Sequence, residues 1–224
     1  MENITVESEE LITFQSSHPY DLGFVDINPT EMMAYLYLPI KMADSRILSY
    51  EPRLDVFKPL IDMASQFFIG KSGMKAWLEN YMYITAKRLF VTPENIGNRP
   101  GYHCDGFGTE DINLLWTDKF PTIFNHSKVS VRNDDLLALE DMQSQALTEN
   151  EFSLPVGHFI GIDSHCLHRT PTINTSGMRT FVKISFSKHK FNLGGNTHNY
   201  LFNYEWDLHD RGEVRNMENK DYKK

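Results

Sequence analysis

The chain has 224 residues, of which 41% are hydrophobic and 12% aromatic, so a single domain with a sizeable core is expected and wholesale disorder is excluded. It carries 22 basic against 30 acidic residues, and this net charge of −8 argues against a duplex nucleic acid partner, which requires a basic face. The two cysteines imply no disulfide framework. The sequence shows neither a basic leader nor an apolar run of roughly 18 residues, which predicts a cytoplasmic protein without a membrane anchor.

The first part of the chain, to about residue 80, predicts helical and irregular structure. Residues 1–30 mix short apolar runs with prolines and are typical of irregular or edge-strand segments. Over residues 53–68 the apolar residues recur at helical spacing, and Pro59 suits the first turn of that helix. A second, short helix is expected after Gly73.

From residue 81 onward the pattern changes to short strands. Runs rich in aromatic and β-branched residues, bounded by turn residues, predict strands at 81–91, 112–118, 121–124, 157–163 and 179–187. A helix is expected over 134–146, inside a polar stretch, 126–152, that is either a lid or a plain surface insertion.

This order of elements predicts a mainly β fold with flanking helices, either a β-barrel or a double-sheet jelly roll. A single domain is expected to span residues 1–224, with its barrel core at about 81–205. The highly charged segment from residue 211 is expected to be a solvated tail.

His103 and Asp105 form the first chemically informative pair. Residues i and i+2 of a strand point to the same side, so the imidazole and the carboxylate are expected to lie side by side. They offer two positions to a divalent metal, and a third ligand from another strand completes a facial triad that leaves positions open. Taken alone, a His-x-Asp triplet is a weak signal, because chance produces it often.

The downstream stretch strengthens that signal. An apolar strand, a turn and the sequence His-Arg-x-Pro place His168 where a returning strand can meet the first pair. Arg179 follows at the head of the next strand, and its planar, permanently charged fork suits a carboxylate. Within 179–187 one face is apolar, whereas the face that carries Arg179 and Lys183 is mostly polar. The alternation predicts a polar lumen, with the apolar face packed under the helices.

The order His-x-Asp, a distant His and then an Arg resembles the Fe(II)/2-oxoglutarate-dependent dioxygenase superfamily over about residues 81–190. The resemblance implies a double-stranded β-helix in which His103, Asp105 and His168 bind Fe(II) and Arg179 anchors the distal carboxylate of the co-substrate 2-oxoglutarate. It also implies that O₂ is consumed and that succinate and CO₂ are released. Hydroxylation of a substrate C–H bond is the default outcome, and demethylation, desaturation and cyclisation stay open. An amino acid, a peptide, a small metabolite and a nucleotide all stay open as the substrate.

Several neighbours of the pair receive predicted roles. Tyr102 and Asn113 are expected to hydrogen-bond the co-substrate or substrate, as cofactor-binding residues. Phe107 and Trp116 are candidates for the wall of the substrate pocket, and for Trp116 ordinary core packing is an equal alternative. His165 competes with His168 for the third ligand position because the two lie in one turn.

Three other interpretations are weighed against this one. A zinc site that uses Cys104 and Cys166 is disfavoured, because residues 103 and 104 of a strand point to opposite faces. A cupin-type metal enzyme keeps the metal ligands but has no need of 2-oxoglutarate. A non-catalytic jelly-roll binding protein keeps the barrel without a working site. The sequence predicts no oligomeric state.

Overall fold

The computed structural model describes residues 11–210, so the predicted charged tail from residue 211 lies outside the described residues. The described chain contains eleven strands, two α-helices and two short 3-10 segments. In chain order these are β1 (Leu11–Gln15), β2 (Tyr20–Phe24), β3 (Met33–Lys41), a 3-10 turn (Pro52–Phe57), α1 (Lys58–Glu79), β4 (Tyr81–Val91), β5 (Ile112–Thr117), β6 (Ile123–Asn125), β7 (Lys128–Arg132), α2 (Asp135–Gln145), a 3-10 turn (Thr148–Asn150), β8 (Glu151–Ser153), β9 (His158–Asp163), β10 (His168–Arg169) and β11 (Gly177–Ser187).

Three antiparallel sheets organise these strands. The largest has six strands in the order β2-β9-β5-β11-β4-β3, the second has the order β10-β6-β8, and the third pairs β1 with β7. Neighbouring strands in the large sheet come from distant parts of the chain, as in a jelly roll. The predicted fold class, a mainly β double-stranded β-helix with flanking helices, is confirmed.

The two faces of β11 separate the core from a cavity. Val182, Ile184 and Phe186 are buried in the main hydrophobic core under α1, where Phe68 of the helix stacks on Phe186 with ring centroids 4.1 Å apart. The alternate side chains, which include Arg179 and Lys183, line a cavity on the other side of the sheet. The predicted alternation is therefore confirmed, and it follows from the period-2 geometry of a strand.

Helix α1 begins at Lys58, and Pro59 lies in its first turn as predicted, where its missing N–H costs no hydrogen bond. Gly73 interrupts the helix with φ 85° and ψ 163°, a conformation that favours glycine. The shorter helix expected after Gly73 is the second half of this kinked segment.

A buried lysine closes the end of α1. Lys41 has no exposed surface, and its Nζ donates to the carbonyl oxygens of Met42, Leu78 and Asn80 at 3.0, 3.2 and 2.6 Å. Carbonyls at a helix C-terminus have no partner within the helix, so the ammonium group satisfies them. Burial lowers the pKa of Lys41 to about 8.

The expectation of helical and irregular structure up to residue 80 is wrong for β3. Met33–Lys41 is the edge strand of the large sheet and pairs with β4, with register shifts between Tyr35 and Leu38 and between Pro39 and Lys41. Pro39 made the sequence look unlike a strand, but an edge strand with an irregular register tolerates proline.

The polar stretch 126–152 is neither a lid nor a loose insertion. Its strand β7 pairs with β1, and its helix α2 contributes Ala138 and Met142 to a small core with Val129 and Val131. Among residues 11–210, the side chains that line the cavity include none from 126–152. No helix within the described part of the chain combines the length and apolar character needed to cross a membrane.

Candidate metal centre

Two distant stretches of chain meet through their backbones at this site. The His103 N–H donates to the His168 carbonyl at 2.9 Å, and the His168 N–H donates to the His103 carbonyl at 3.0 Å. His168 also begins β10, where it pairs with Phe124 of β6. The reciprocal bridge fixes the two imidazoles on neighbouring chain segments, with ring centroids 4.5 Å apart.

The side chains of His103, Asp105 and His168 form a compact cluster. Nε2 of His103 lies 4.0 Å from Oδ1 of Asp105, and Nε2 of His168 lies 3.7 Å from Oδ2 of the same carboxylate. One potential ligand atom from each residue falls within 4.8 Å of the others. Cis donors at roughly 2.0–2.2 Å from one ion are about 3 Å apart, so side-chain shifts of about 1 Å would let the three residues share an ion.

Backbone carbonyls select the tautomer of both histidines. Nδ1 of His103 lies 3.0 Å from the Gly101 carbonyl, and Nδ1 of His168 lies 2.9 Å from the Cys166 carbonyl. A carbonyl can only accept, so each Nδ1 carries the hydrogen and each Nε2 presents its lone pair toward Asp105. Histidines that bind metals are commonly oriented by such a second hydrogen bond.

The charge states of the cluster also suit a cation. Burial, followed by the proximity of His168, lowers the pKa of His103 to about 4 and keeps this imidazole neutral. Burial acts to raise the pKa of Asp105, but Lys183 and the two histidines together hold it well below its usual value. Two imidazoles and one carboxylate are the donor set of the facial triad that binds divalent iron.

Lys183 is a member of this site that the sequence analysis placed on the correct face but gave no role. Its Nζ lies 2.9 Å from Oδ2 of Asp105 and donates to the Tyr37 hydroxyl at 3.1 Å. Burial alone lowers a lysine pKa, but the contact with Asp105 and then the one with Tyr37 raise that of Lys183 above its usual value. The ammonium group therefore stays charged and neutralises the carboxylate.

The cluster opens into a cavity of about 930 Å³. Its floor is formed by inward side chains of β4, β5 and β11, and one wall is formed by the loop at residues 93–100. No residue pattern in that loop carries recognisable chemistry, so its place in the site could not be predicted from the sequence. Pockets that bind small molecules commonly measure 300–1,000 Å³, so this cavity is large enough for two small ligands.

Arg179 lies in the same cavity and is held in place by two backbone carbonyls. Its side chain is buried, its Nε donates to the Lys119 carbonyl at 3.1 Å, and its terminal nitrogen Nη2 donates to the Phe120 carbonyl at 3.2 Å. Burial lowers the pKa of Arg179 to about 10, so the guanidinium is charged at neutral pH. A guanidinium carries five N–H donors, and these two hydrogen bonds leave others for a bound anion.

The structure does not bring Tyr102 and Asn113 into the cavity, which corrects their predicted role. The Tyr102 hydroxyl donates to Glu151 and packs behind His103 in the small core under α2. Asn113 faces inward but is buried below the cavity, where its Oδ1 accepts from the Ser185 hydroxyl at 2.6 Å. Both side chains already have partners and therefore support the strands around the site.

The two substrate-pocket candidates also lie elsewhere. Trp116 is on the core face of β5, and its Nε1 donates to the carbonyls of Val25 and Gly157 at 3.2 and 3.0 Å. Strand parity explains this placement, since Leu115 and not Trp116 points into the cavity. Phe107 packs against Phe14, with ring centroids 5.8 Å apart, in the core under α2.

The rival metal ligands do not join the cluster. His165 is exposed and places its ring edge against Phe14, away from Asp105. Cys104 and Cys166 are buried among apolar side chains of separate cores. Burial raises the pKa of Cys166 to about 12 and that of Cys104 well above its usual value, so neither offers the thiolate that zinc prefers.

Comparison with known proteins finds a distant likeness among solved structures. No protein-family model matches the chain, and no curated protein matches it. One solved structure that is similar is an oxidoreductase of the 2OG-Fe(II) oxygenase family from Burkholderia pseudomallei. The match covers 80% of this chain and 74% of that protein's chain, with 13% sequence identity and a TM-score of 0.37. At that distance, an assignment of function depends on the side chains in the cavity.

Proposed function

We propose that this protein is an Fe(II)- and 2-oxoglutarate-dependent oxygenase. The observation that supports it most directly is that three residues of a facial triad and a buried arginine line one cavity. In this assignment His103, Asp105 and His168 hold the iron, and Arg179 holds the far carboxylate of 2-oxoglutarate. If the protein bound a metal but did not use 2-oxoglutarate, the charged, buried guanidinium of Arg179 would face the cavity with no anion to bind.

The residues of this chain have distinct tasks in that reaction. The bound iron and 2-oxoglutarate supply the oxidative chemistry, with hydroxylation of a substrate C–H bond as the expected outcome. The hydrogen bonds from Nδ1 of His103 and His168 orient the two imidazoles toward the shared ion. Lys183 keeps Asp105 ionised, and the carbonyls of Lys119 and Phe120 hold Arg179 in the direction in which it can receive a carboxylate.

An anaerobic titration with Fe(II) and then 2-oxoglutarate tests the proposal. We expect a weak visible absorption band when both are present, and succinate release when O₂ is admitted with a substrate. The variant His103→Ala should lose both the band and tight iron binding. His165→Ala is the matched control, because it removes an exposed histidine outside the cluster, and it should retain both.

The alternatives give different results in the same titration. Iron binding with no band and no 2-oxoglutarate dependence would identify a cupin-type enzyme. If iron binds weakly and His103→Ala behaves as the parent protein does, the jelly roll is a non-catalytic binding protein. The cytoplasmic location and the one-domain organisation stay predictions from the sequence.

A further inference from the structure

A second cavity, of about 390 Å³, shares a lining residue with the cavity of the His–Asp–His cluster, here called the metal cavity. Tyr37 lines both of them. Strand β3 contributes Tyr37 and Pro39 to the second cavity, and the rest of its lining comes from the segment after β11, at residues 191–208. We call it the aromatic groove, because five of its lining residues carry aromatic rings, which are Tyr37, Phe191, His198, Tyr204 and Trp206.

The rings of the groove hold one another in place and keep part of their surface accessible. Phe191 meets Tyr37 edge-on, with ring centroids 5.1 Å apart. Tyr204 lies 4.6 Å from Trp206 and stacks on His198 at 4.4 Å. Aromatic pairs in such arrangements stabilise each other. Tyr37, Phe191, Tyr204 and Trp206 are all half-buried and His198 is exposed, so the rings are fixed without being covered.

Hydrogen bonds attach the segment that carries these rings to β3. The Thr197 N–H donates to the Leu36 carbonyl at 2.8 Å, and the Thr197 hydroxyl accepts from the Leu36 N–H at 2.9 Å. Asn199 is buried, and its Nδ2 donates to the Pro39 carbonyl at 2.8 Å. The Asn199 N–H donates to the Tyr204 hydroxyl at 3.0 Å. The walls of the groove are therefore preformed, so a ligand does not have to order them.

An unusual backbone conformation places Tyr37 in the wall between the two cavities. Its φ is 47°, in the left-handed region that few residues other than glycine adopt, and it lies at the register shift between Tyr35 and Leu38. Its N–H donates to Oγ1 of Thr85 at 3.0 Å, and its hydroxyl accepts from Lys183 at 3.1 Å. Such conformations cost free energy and cluster at binding sites, which marks this wall as a candidate functional element.

The groove combines aromatic surface with acidic residues. Glu205 and Asp207 line it and are exposed, whereas no lysine or arginine among residues 11–210 lines it. Lys183, whose Nζ is 4.9 Å from the centroid of the Tyr37 ring, lines the metal cavity and pairs there with Asp105. Ring faces attract cations, most strongly those of tryptophan, and nearby carboxylates add to the attraction. A neutral aromatic ligand would use the rings alone, so the combination favours an organic cation.

We propose that the aromatic groove is a binding site for a small organic cation that carries a quaternary or alkylated ammonium group. Trp206, Tyr204 and Tyr37 supply the ring surface, and Glu205 and Asp207 supply the negative charge. The volume of about 390 Å³ admits one such group with a short chain. The inference goes beyond the proposed function, because the groove needs neither iron nor 2-oxoglutarate to bind the cation.

The test titrates the full chain with choline and with its uncharged isostere, in which a carbon atom replaces the quaternary nitrogen. Calorimetry measures the affinity, and the indole N–H signals of the three tryptophans in isotope-labelled protein locate the site. Trp77 and Trp116 are buried in the main core, so the Trp206 signal alone should shift. We expect choline to bind about tenfold more tightly than the isostere, with an affinity that falls as salt concentration rises.

Trp206→Leu should weaken choline binding by about tenfold, because it removes the ring that attracts a cation most strongly. Phe90→Leu is the matched control, since it removes an exposed ring outside the groove, and it should leave the affinity unchanged. Trp206 also packs against Tyr204, so a second variant alters exposed residues only. The double variant Glu205→Gln, Asp207→Asn should weaken choline binding by about threefold and reduce its salt dependence.

Four results overturn the inference. The first is that choline does not bind, and the second is that choline and its isostere bind with equal affinity. The third is that bound choline leaves the Trp206 indole signal in place. The fourth is an unchanged affinity in both Trp206→Leu and the double variant. Since these titrations contain no iron, a missing visible band in the separate titration with Fe(II) and 2-oxoglutarate refutes the proposed function and leaves the cation site standing.

Discussion

Replacing Arg179 by methionine should abolish tight binding of 2-oxoglutarate while leaving the metal ligands intact. Arg179 as a whole residue is 4% exposed, so its partner carboxylate is bound away from water. Each charge-assisted hydrogen bond contributes about 1.5–3 kcal/mol, and an uncompensated buried carboxylate costs about 3–5 kcal/mol. A loss of at least about 3 kcal/mol corresponds to a dissociation constant raised by roughly 150-fold.

Arg179→Lys separates the charge from the shape of the side chain. An ammonium group retains the charge but cannot donate through a planar fork, nor reach both carbonyls that now orient the arginine. We expect an intermediate loss of about tenfold. The freed carbonyls of Lys119 and Phe120 should also lower the thermal midpoint of either variant by a few degrees.

The assay is calorimetric titration of 2-oxoglutarate into the protein loaded anaerobically with Fe(II), with iron affinity measured separately for each variant. A 2-oxoglutarate affinity within threefold of the parent in a folded Arg179→Met protein would refute the assigned role. Parallel loss of iron and 2-oxoglutarate would instead mean that Arg179 acts through the structure of the cluster.

Three further substitutions test other parts of the molecule. Lys183→Met removes the main group that lowers the pKa of Asp105. The lowest pH at which the protein still binds the metal should therefore rise. If metal binding is measured across pH 3–7 and its pH midpoint is unchanged, this prediction is contradicted. Trp116→Phe should lower the free energy of unfolding by about 1–3 kcal/mol, through lost hydrogen bonds in the core, yet leave the 2-oxoglutarate affinity unchanged. Lys41 has a pKa lowered from 10.5 to about 8, so the folded state binds fewer protons than the unfolded state between these values. The parent protein should therefore gain stability relative to Lys41→Met as pH rises through that window, by up to about 1.4 kcal/mol per unit, as measured by denaturant unfolding.

The parts of the site that follow from local geometry were predictable from the sequence. The two-residue period of a strand puts Arg179 and Lys183 on one face of β11. His103 and Asp105 also lie side by side as predicted, although they belong to an isolated bridge and the turn that follows it rather than to a strand. The same rule, applied to β5, places Trp116 on the core face and so favours the packing alternative over the pocket.

Contacts between distant segments could not be read from the sequence. The Tyr37 hydroxyl accepts a hydrogen bond from Lys183, but Tyr37 lies on β3, which was not predicted as a strand because Pro39 interrupts it. The loop at 93–100 is a wall of the cavity, and Lys87, an inward residue of β4, binds the Gly97 carbonyl in it. Tyr102 has the right position next to His103 but turns to Glu151, a partner whose position depends on the packing of β8 against β6.

The reciprocal backbone bridge between His103 and His168 has a consequence for how the protein keeps an ion. Neither backbone segment can move away on its own, because the pair of hydrogen bonds joins it to the other segment. The Nδ1 of each imidazole is held in turn by a carbonyl of its own segment. Loss of the jelly roll opens this junction. An ion held there is expected to be released in the same cooperative transition that unfolds the sheets, and to raise their midpoint of unfolding in proportion to the logarithm of its concentration.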